Sequence, residues 1–520
     1  MTDSGGAHVD VAVVGLGSCG LVLTQLLALE GLRVAAIDRA RIPIPYPRAT
    51  HLDDETMRAF QTIGLTDLEK TFSLVGKYNW YDPDWRLLLT MSMSRGLTEQ
   101  GWQSDYMFHQ PDFEAVLRGR AVSRAETTTY FGSEVVAVSQ TDTEVSITLR
   151  DRPAGRTQQV FGKSQGKGER DEASRGTRTV TASFVVGCDG ANSFLRTAMQ
   201  STHVDYGATH RSLIVDILPF RESEALAGGH FGRDSFIQTG IRNPLTFVPI
   251  SEPLLRFEEM LRPDDDTSAF DSLEYVHSLL EPWLKPDEYR ILRADVYEWD
   301  AVVAEPWQVG RMFLAGDAAH EMPPHLGQGM CSGVRDAMTL AWKLGRVIRG
   351  ESSLALLRTY ETERKPHVTE YVKTSAEMAN QIEAFKPEDL DGAEMTPPEA
   401  DWPRPRLGPG VRSDDGDEFA GTLSAQPNLE SGERLDDAVG YRFAVVGNDA
   451  CVDTISADTQ AQLDAMNVKV VNVSSGEVND WLVKLGVSAV LVRPDRYIFG
   501  SAQSGLELAD LVAELADAMR

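Results

Sequence analysis

Val9-Asp10-Val11-Ala12-Val13-Val14-Gly15-Leu16-Gly17-Ser18-Cys19-Gly20 is a short β-rich run that ends on three glycines. Cys19–Glu30 then has helical character and Arg33–Ile37 returns to strand, which makes a βαβ unit. Each glycine has its own task. Gly15 permits the tight turn, Gly17 lets a pyrophosphate approach the backbone, and Gly20 allows close helix–strand packing. The helix N-terminus adds free N–H groups and partial positive charge for the phosphates. Asp38 ends the second strand, about twenty residues after the first glycine, where a carboxylate can accept ribose hydroxyls. This pattern predicts dinucleotide binding but does not separate FAD from NAD.

The 520 residues exceed one ordinary core, so two or three domains are expected. The net charge of −28 argues against nucleic acid or an anionic membrane as the main partner. The cysteines are Cys19, Cys188, Cys331 and Cys451. They form no CxxC pair and have no histidines at ligand spacing, so neither a disulfide framework nor a metal site is expected, and a reducing, cytoplasmic setting fits. Val9–Leu29 is apolar enough to imitate a signal peptide or membrane span. However, no Lys or Arg precedes it, and Asp10 and the glycines interrupt it.

Further along, Asp112–Arg124 reads as a helix, and Val145–Leu149 and Thr179–Val186 read as strands. Asp151–Arg178, rich in Gly, Arg, Ser, Lys and Glu, reads as a long, mobile hairpin loop. Tyr206–Asp300 mixes strands with polar loops. Met312–Ala315 is another buried strand, followed by a helix to about Ile348, and Leu354–Phe385 is helical with a kink expected at Pro366. Residues 386–425 have linker composition. Beyond Arg442, the strands Phe443–Val446, Val468–Val473 and Ala489–Val492 alternate with helices, which suggests a small separate α/β domain.

Two later motifs decide the cofactor. The first is Phe184-Val185-Val186-Gly187-Cys188-Asp189-Gly190, with Ser193 and Arg196. The second is Phe313-Leu314-Ala315-Gly316-Asp317-Ala318-Ala319-His320, continuing through Pro323, Pro324 and Gly327-Gln328-Gly329-Met330. With Pro47–Glu55, Gln110-Pro111, Arg335-Asp336-Ala337 and Leu340–Leu344 they fall in family order, and the chain resembles the class A flavoprotein monooxygenases, the family of para-hydroxybenzoate and phenol hydroxylases. Arg256-Phe257-Glu258, Gln426-Pro427, Leu435-Asp436-Asp437 and Arg493-Pro494-Asp495-Arg496 carry a closer likeness to the 3-(3-hydroxyphenyl)propionate hydroxylases.

The resemblance implies an α/β fold. A Rossmann-like FAD-binding domain (1–76, 94–205 and 301–385) is interleaved with an α+β substrate domain (77–93 and 206–300). A linker (386–425) leads to a thioredoxin-like C-terminal domain (426–520) without redox cysteines, expected to serve packing or a homodimer interface and to be dispensable for the chemistry. It further implies non-covalent FAD, NADH or NADPH as co-substrate, and O2 and a small phenol as reactants. The phenol would be hydroxylated beside its existing hydroxyl through a flavin C4a-hydroperoxide.

Asp317 would bond the ribityl chain beside Gly316. Arg48 and Gln110 would hold the ribose, ribityl and pyrophosphate region, and Asp189 would help assemble the pyrophosphate site. Independently of the resemblance, a helix starting near Gly327-Gln328-Gly329-Met330 would turn its N–H groups to the flavin N1/C2 oxygen edge. Pro323 lacks an N–H and would line the reaction pocket. His51 and His325 are the titratable candidates for catalysis there. Two positions depart from the pattern: Thr339 stands where the family carries Asn, and Glu259 where the nearest subfamily is aromatic or apolar. A hydroxylase of a larger polyketide or antibiotic and a non-catalytic FAD-binding scaffold are the alternatives.

Overall fold

The computed structural model describes residues 8–74, 76–92, 96–152, 176–221, 234–251, 253–268, 270, 272–384, 404–413 and 416–520. The opening βαβ unit forms as read, with strand His8–Val14, helix Ser18–Leu29 and strand Val34–Asp38. The helix buries ten of its twelve residues, so its whole circumference rather than one stripe is enclosed. His8–Val14 pairs in parallel with Val34–Asp38 on one side and Thr177–Gly187 on the other; Thr177–Gly187 pairs in parallel with Met312–Leu314. Three neighbouring strands therefore end together, and their exits are Gly15, Cys188-Asp189 and Ala315-Gly316. Ligands of parallel sheets bind at that carboxyl edge. Val145–Asp151 pairs antiparallel with Thr177–Gly187, so the expected hairpin arms are present, while 153–175 of its loop lie outside the described residues.

A second sheet of eight strands runs in the order His320–Glu321, Tyr289–Glu305, Thr202–Pro219, Leu254–Leu261, Leu245–Ser251, Ser235–Gln238, Lys77–Tyr81, Leu87–Ser92. The short segment near residue 80 and the long one after 206 thus build one layer. Its two faces differ. Leu213, Val215, Phe257 and Leu261 pack with Val276 and Leu280 of helix Leu273–Leu280. The alternate residues face the other way: Met260, with Trp80 and Ile237, meets Ile382 of helix Ala355–Ala384. That long helix continues through Pro366, where sequence alone predicts a kink.

The C-terminal unit is a four-stranded sheet ordered Lys469–Val473, Ala444–Asn448, Ala489–Val492, Ile498–Ala502. Its first pair is parallel and the other two are antiparallel. The unit is packed into the rest of the chain rather than set apart from it. Trp342 and Leu356, from the two long helices, belong to the same apolar cluster as Phe443, Leu491 and Leu508. Asp436 takes a two-pronged ion pair from Arg58, and Arg493 pairs with Glu363 at 2.7 Å; all four groups are buried or nearly so. Of the stretch read as a linker, residues 404–413 are packed: Gly408 N–H donates to Glu363 O, and Leu407 and Val411 are buried. Composition registers Pro, Gly and acid content, whereas packing depends on where the apolar residues between them land. No helix among the described residues is long and apolar enough to cross a membrane.

Candidate active site

At the first strand exit the three glycines separate by function. Gly15 has φ +92°, and a Cβ there would stand 2.3 Å from Cys188 O. A Cβ on Gly20 would stand 2.0 Å from Gly15 O. Both positions are closed by the protein's own backbone. Gly17 is the open one: a Cβ would meet only Glu114 Oε1, at 3.8 Å, so the space beside it is free for a ligand. Asp38 accepts from Leu16 N (2.9 Å), Ala40 N (2.6 Å) and Arg118 Nη2 (2.8 Å). A carboxylate offers about four acceptor positions, so about one remains for a ribose hydroxyl. The sequence reading missed Arg118, which orients this acid.

Gln110 proves to be a brace. Its Oε1 accepts from the backbone N–H of Arg48 and of Ala49, each at 2.8 Å, and its Nε2 donates to Glu114 at 2.8 Å. This fixes the backbone that carries Arg48, whose exposed guanidinium makes no hydrogen bond or ion pair among the described residues. From the other side Arg256 holds the same segment. It donates to Arg48 O at 3.2 Å and to Pro47 O, while Asp216 binds it through two bonds of 2.7 and 3.0 Å. Arg293 adds a bond to Pro47 O at 3.3 Å. The sequence reading missed Asp216 and Arg293. The available signal is charge at inward positions of apolar, alternating strands.

Asp189 also turns inward. It accepts from Ser193 Oγ at 2.5 Å and Leu195 N at 3.1 Å, and burial pushes its carboxyl up. It stiffens the turn whose Cys188 carbonyl meets Gly15. Asp317 is the opposite case, an exposed carboxylate with no hydrogen bond or ion pair among the described residues. Gly316, at φ +62°, is anchored by Asp336, which accepts its N–H at 3.0 Å. Burial, then the charge of Asp317, pushes Glu321 up to about 7. Burial raises Tyr297 as well, with Asp317 and Arg48 both acting on it. The charge of Asp317 thus acts on both Tyr297 and Glu321.

The last cofactor segment approaches helix Gly329–Ile348 through Gly327 at φ +64°, where a Cβ would fall 2.4 Å from His51 Nδ1. Gln328 caps the helix, but its amide is occupied by Asp53 (3.1 Å) and Arg335 (2.8 Å). Only backbone is left to offer a ligand. No acceptor for the N–H groups of Gly329, Met330 or Cys331 is found among the described residues, and a Cβ on Gly329 would meet only Met322 at 3.9 Å. A helix start with free donors and open space in front suits an electron-rich oxygen edge. The residues fit FAD.

Of the three catalytic candidates, His51 is bonded at both ring nitrogens, to Gly327 O at 3.3 Å and Asp105 Oδ1 at 2.8 Å. Burial opposes its charge, but Asp105 outweighs that and raises it. This geometry braces the Gly327 turn. Pro323 is buried and its carbonyl accepts from Ser375 Oγ at 2.9 Å, tying the loop to the long helix. His325 stands edge-on to Trp299 at 5.4 Å, with His210 stacked on the same indole at 4.9 Å. Its Nε2 and Trp299 Nε1 are both buried without a hydrogen-bond partner. Burial pushes its imidazole down to about 4. Among the described residues no group of His, Cys, Asp and Glu could hold a metal.

The two departures resolve differently. Glu259 lies on the face away from this space, taking the Tyr275 hydroxyl at 2.8 and 2.9 Å beneath helix Leu273–Leu280. It is no part of the pocket. Burial pushes Glu259 up to about 7. Its folded value exceeds the unfolded one of about 4.3, so its stabilising contribution is present below pH ~4 and lost as pH rises to ~7. Glu259→Gln is expected to raise stability by about 2 kcal/mol at pH 8 and by almost nothing at pH 4, read from urea melts at the two pH values. Equal effects at both would contradict a buried, strained carboxylate. Thr339 is fully buried with its hydroxyl unpartnered, so the polar contact of an Asn is absent there.

Comparison with known proteins agrees with this geometry. Residues 8–375 match the FAD binding domain family and residues 421–518 the HcaD C-terminal domain. A probable NADH-specific resorcinol 4-hydroxylase of Rhodococcus jostii (strain RHA1) is 29% identical over 540 residues, covering 99% of this chain and 96% of the relative. A 3-(3-hydroxy-phenyl)propionate/3-hydroxycinnamic acid hydroxylase of Mycolicibacterium vanbaalenii is 30% identical over 539 residues, covering 95% and 89%. The flavin-dependent monooxygenase PieE, solved with FAD and substrate, superposes with TM-score 0.80 at 20% identity over 99% of both chains. The chain belongs to the FAD binding domain family and, within it, to the FAD-dependent aromatic hydroxylases.

Proposed function

We propose that this enzyme uses NADH and O2 to hydroxylate a small phenol at the carbon beside its hydroxyl. The observation that carries the reading is the Pro323–Met330 loop. At one end it holds the unpartnered Nε2 of His325, at the other the open N–H groups of Gly329 and Met330. On this reading the phenolic hydroxyl meets one end of the segment and the flavin edge the other. The relatives support the substrate class, since their names specify resorcinol, whose 4-position adjoins a hydroxyl, and a 3-hydroxyphenyl acid. The first also supports NADH. Four unpaired cysteines fit a reducing cytoplasm. The one parallel and two antiparallel pairings of the C-terminal sheet support its thioredoxin-like reading.

FAD, when bound, supplies the electron transfer from NADH and the activation of O2. Gly17 and the start of its helix would hold the pyrophosphate, Asp38 the adenosine ribose, and Asp317 with Arg48 the ribityl region. His325 is neutral at pH 7 because burial holds it down, so its Nε2 can accept a hydrogen bond from the phenolic hydroxyl and orient the ring, while the same burial makes it too weak a base to take the proton. The buried sheet face, Pro323 and the long helix exclude water from that ring.

A panel of resorcinol, 3-(3-hydroxyphenyl)propionate and a polycyclic phenol tests the reading. The monocyclic phenols are expected to stimulate NADH oxidation and yield oxygenated product. Stimulation by the polycyclic compound alone would favour the larger-substrate alternative, and none by any phenol would favour a scaffold. His325→Phe is expected to lower turnover about 100-fold, the effect of a misplaced ring, while NADH still reduces the flavin. Unchanged turnover would remove His325 from the chemistry.

A further inference from the structure

We infer that Tyr497, in the C-terminal unit, is a positioning residue for FAD: its one hydroxyl ties together the two loops that form the flavin seat. Tyr497 sits at the end of the Arg493-Pro494-Asp495-Arg496 motif, 2% exposed, with its ring edge-on to His367 at 5.7 Å. Its hydroxyl lies 2.7 Å from Glu55 Oε1 and 3.0 Å from His367 Nε2. The carboxylate can only accept, so the hydroxyl donates to Glu55 and accepts from His367. The other side of the imidazole agrees, because Arg364 Nη1 donates to His367 Nδ1 at 2.9 Å and fixes the proton on Nε2.

Each partner begins an arm that ends at the flavin site. Through His367 and Arg364 the first arm reaches Asp336, whose Oδ1 accepts from Arg364 Nε at 2.9 Å. Asp336 Oδ2 accepts the N–H of Gly316 at 3.0 Å and His320 Nε2 at 2.7 Å. This arm sets the turn that presents Asp317. Through Glu55 the second arm reaches Arg335, which donates Nε to Glu55 Oε2 at 2.5 Å, Nη1 to Gln328 at 2.8 Å and Nη2 to Asp53. Gln328 caps the helix whose first N–H groups face the open space. Nearly every group in both arms is buried, with Arg364 and Asp336 at 0%. In such surroundings a hydrogen bond has few competitors, and losing one link displaces its neighbours. The C-terminal unit thus completes the flavin site without touching it. The inference rests on FAD binding and not on the choice of substrate.

The test compares Tyr497→Phe with Asp436→Asn. The first removes the hydroxyl and keeps the ring. The second weakens other contacts of the same interface, the pairs with Arg58 and Arg496, and leaves every hydrogen bond of the two arms in place. FAD affinity is measured on the apoproteins by flavin fluorescence, with the midpoint potential and visible spectrum of the reconstituted proteins. Tyr497→Phe is expected to bind FAD about ten-fold more weakly, the effect of losing a supporting hydrogen bond behind a ligand site, and to shift the flavin spectrum. Asp436→Asn is expected to melt earlier with FAD affinity and spectrum unchanged. Should Tyr497→Phe not fold, His367→Phe breaks the first arm on the other side of the hydroxyl and is expected to give the same shift. Wild-type FAD affinity in the arm variant that folds, or an equal loss in Asp436→Asn, would overturn the inference.

Discussion

Gly17→Val is expected to yield a folded protein that purifies almost colourless. The side chain would enter space that the protein leaves empty, since a Cβ at that position meets only Glu114 Oε1 at 3.8 Å. Gly17 has φ −78°, which valine adopts without strain. The fold has no reason to object, but a pyrophosphate drawn to the N–H groups of helix Ser18–Leu29 does. Losing such charge-assisted bonds costs roughly 3 kcal/mol, or about 100-fold in affinity. Gly20→Val should behave differently, because its Cβ would collide with Gly15 O at 2.0 Å and the strand–helix crossing could not close. That variant is expected in the insoluble fraction. The absorbance ratio of flavin to protein and a thermal melt separate the two outcomes. A fully yellow Gly17→Val protein would remove the loop from FAD binding.

Arg493→Met is expected to cost about 3–5 kcal/mol, the range for breaking a buried ion pair from one side. Arg493 is fully buried; it donates to Glu363 at 2.7 Å, to Asp495 at 3.0 and 2.7 Å, and to Val411 O at 2.7 Å. Without it Asp495 keeps, among the described residues, the Trp342 indole at 3.2 Å, and Glu363 keeps Lys343 at 2.7 Å and the Val411 N–H at 2.6 Å. By the same reasoning a chain cut near Gly421 leaves Arg58, Glu363 and Glu55 each short of a partner, so it should not fold. The thermal midpoint of the Arg493→Met protein is the measurement. A wild-type value would mean that the two units are held by apolar packing alone.

The three flavin motifs were legible because each breaks a strand with a residue whose backbone or charge is hard to explain otherwise. Gly15 and Gly20 are demanded by contacts a Cβ would violate, Gly316 is favoured by its φ of +62°, and Asp317 stands open on the surface. Motif reading does not tell which polar side chains are spent on the protein itself. Gln110, Gln328 and His51 lie in the expected places, yet their polar atoms are spent on Arg48 N, Asp53 and Asp105. Nothing in one sequence distinguishes an amide that binds a ligand from one that binds a backbone sixty residues away. The clamp of Asp216, Arg256 and Arg293 was half legible, since Arg256 carries a motif while Asp216 and Arg293 lie on strands that only folding makes adjacent. The role of Tyr497 was illegible for the same reason, its partners being 442 and 130 residues away. Glu259, a departure from the nearest subfamily's pattern, sits on the far face of the sheet, where period-two alternation from Phe257 and Leu261 places it.

Turnover under 18O2 with resorcinol or 3-(3-hydroxyphenyl)propionate, with mass analysis of the product and a parallel peroxide assay, tests the central claim most directly. One labelled oxygen atom in the ring, at the carbon beside the original hydroxyl, and peroxide well below the NADH consumed are the predicted result. Unlabelled product, or all reducing equivalents recovered as peroxide with every phenol, would contradict hydroxylation and make the enzyme an oxidase.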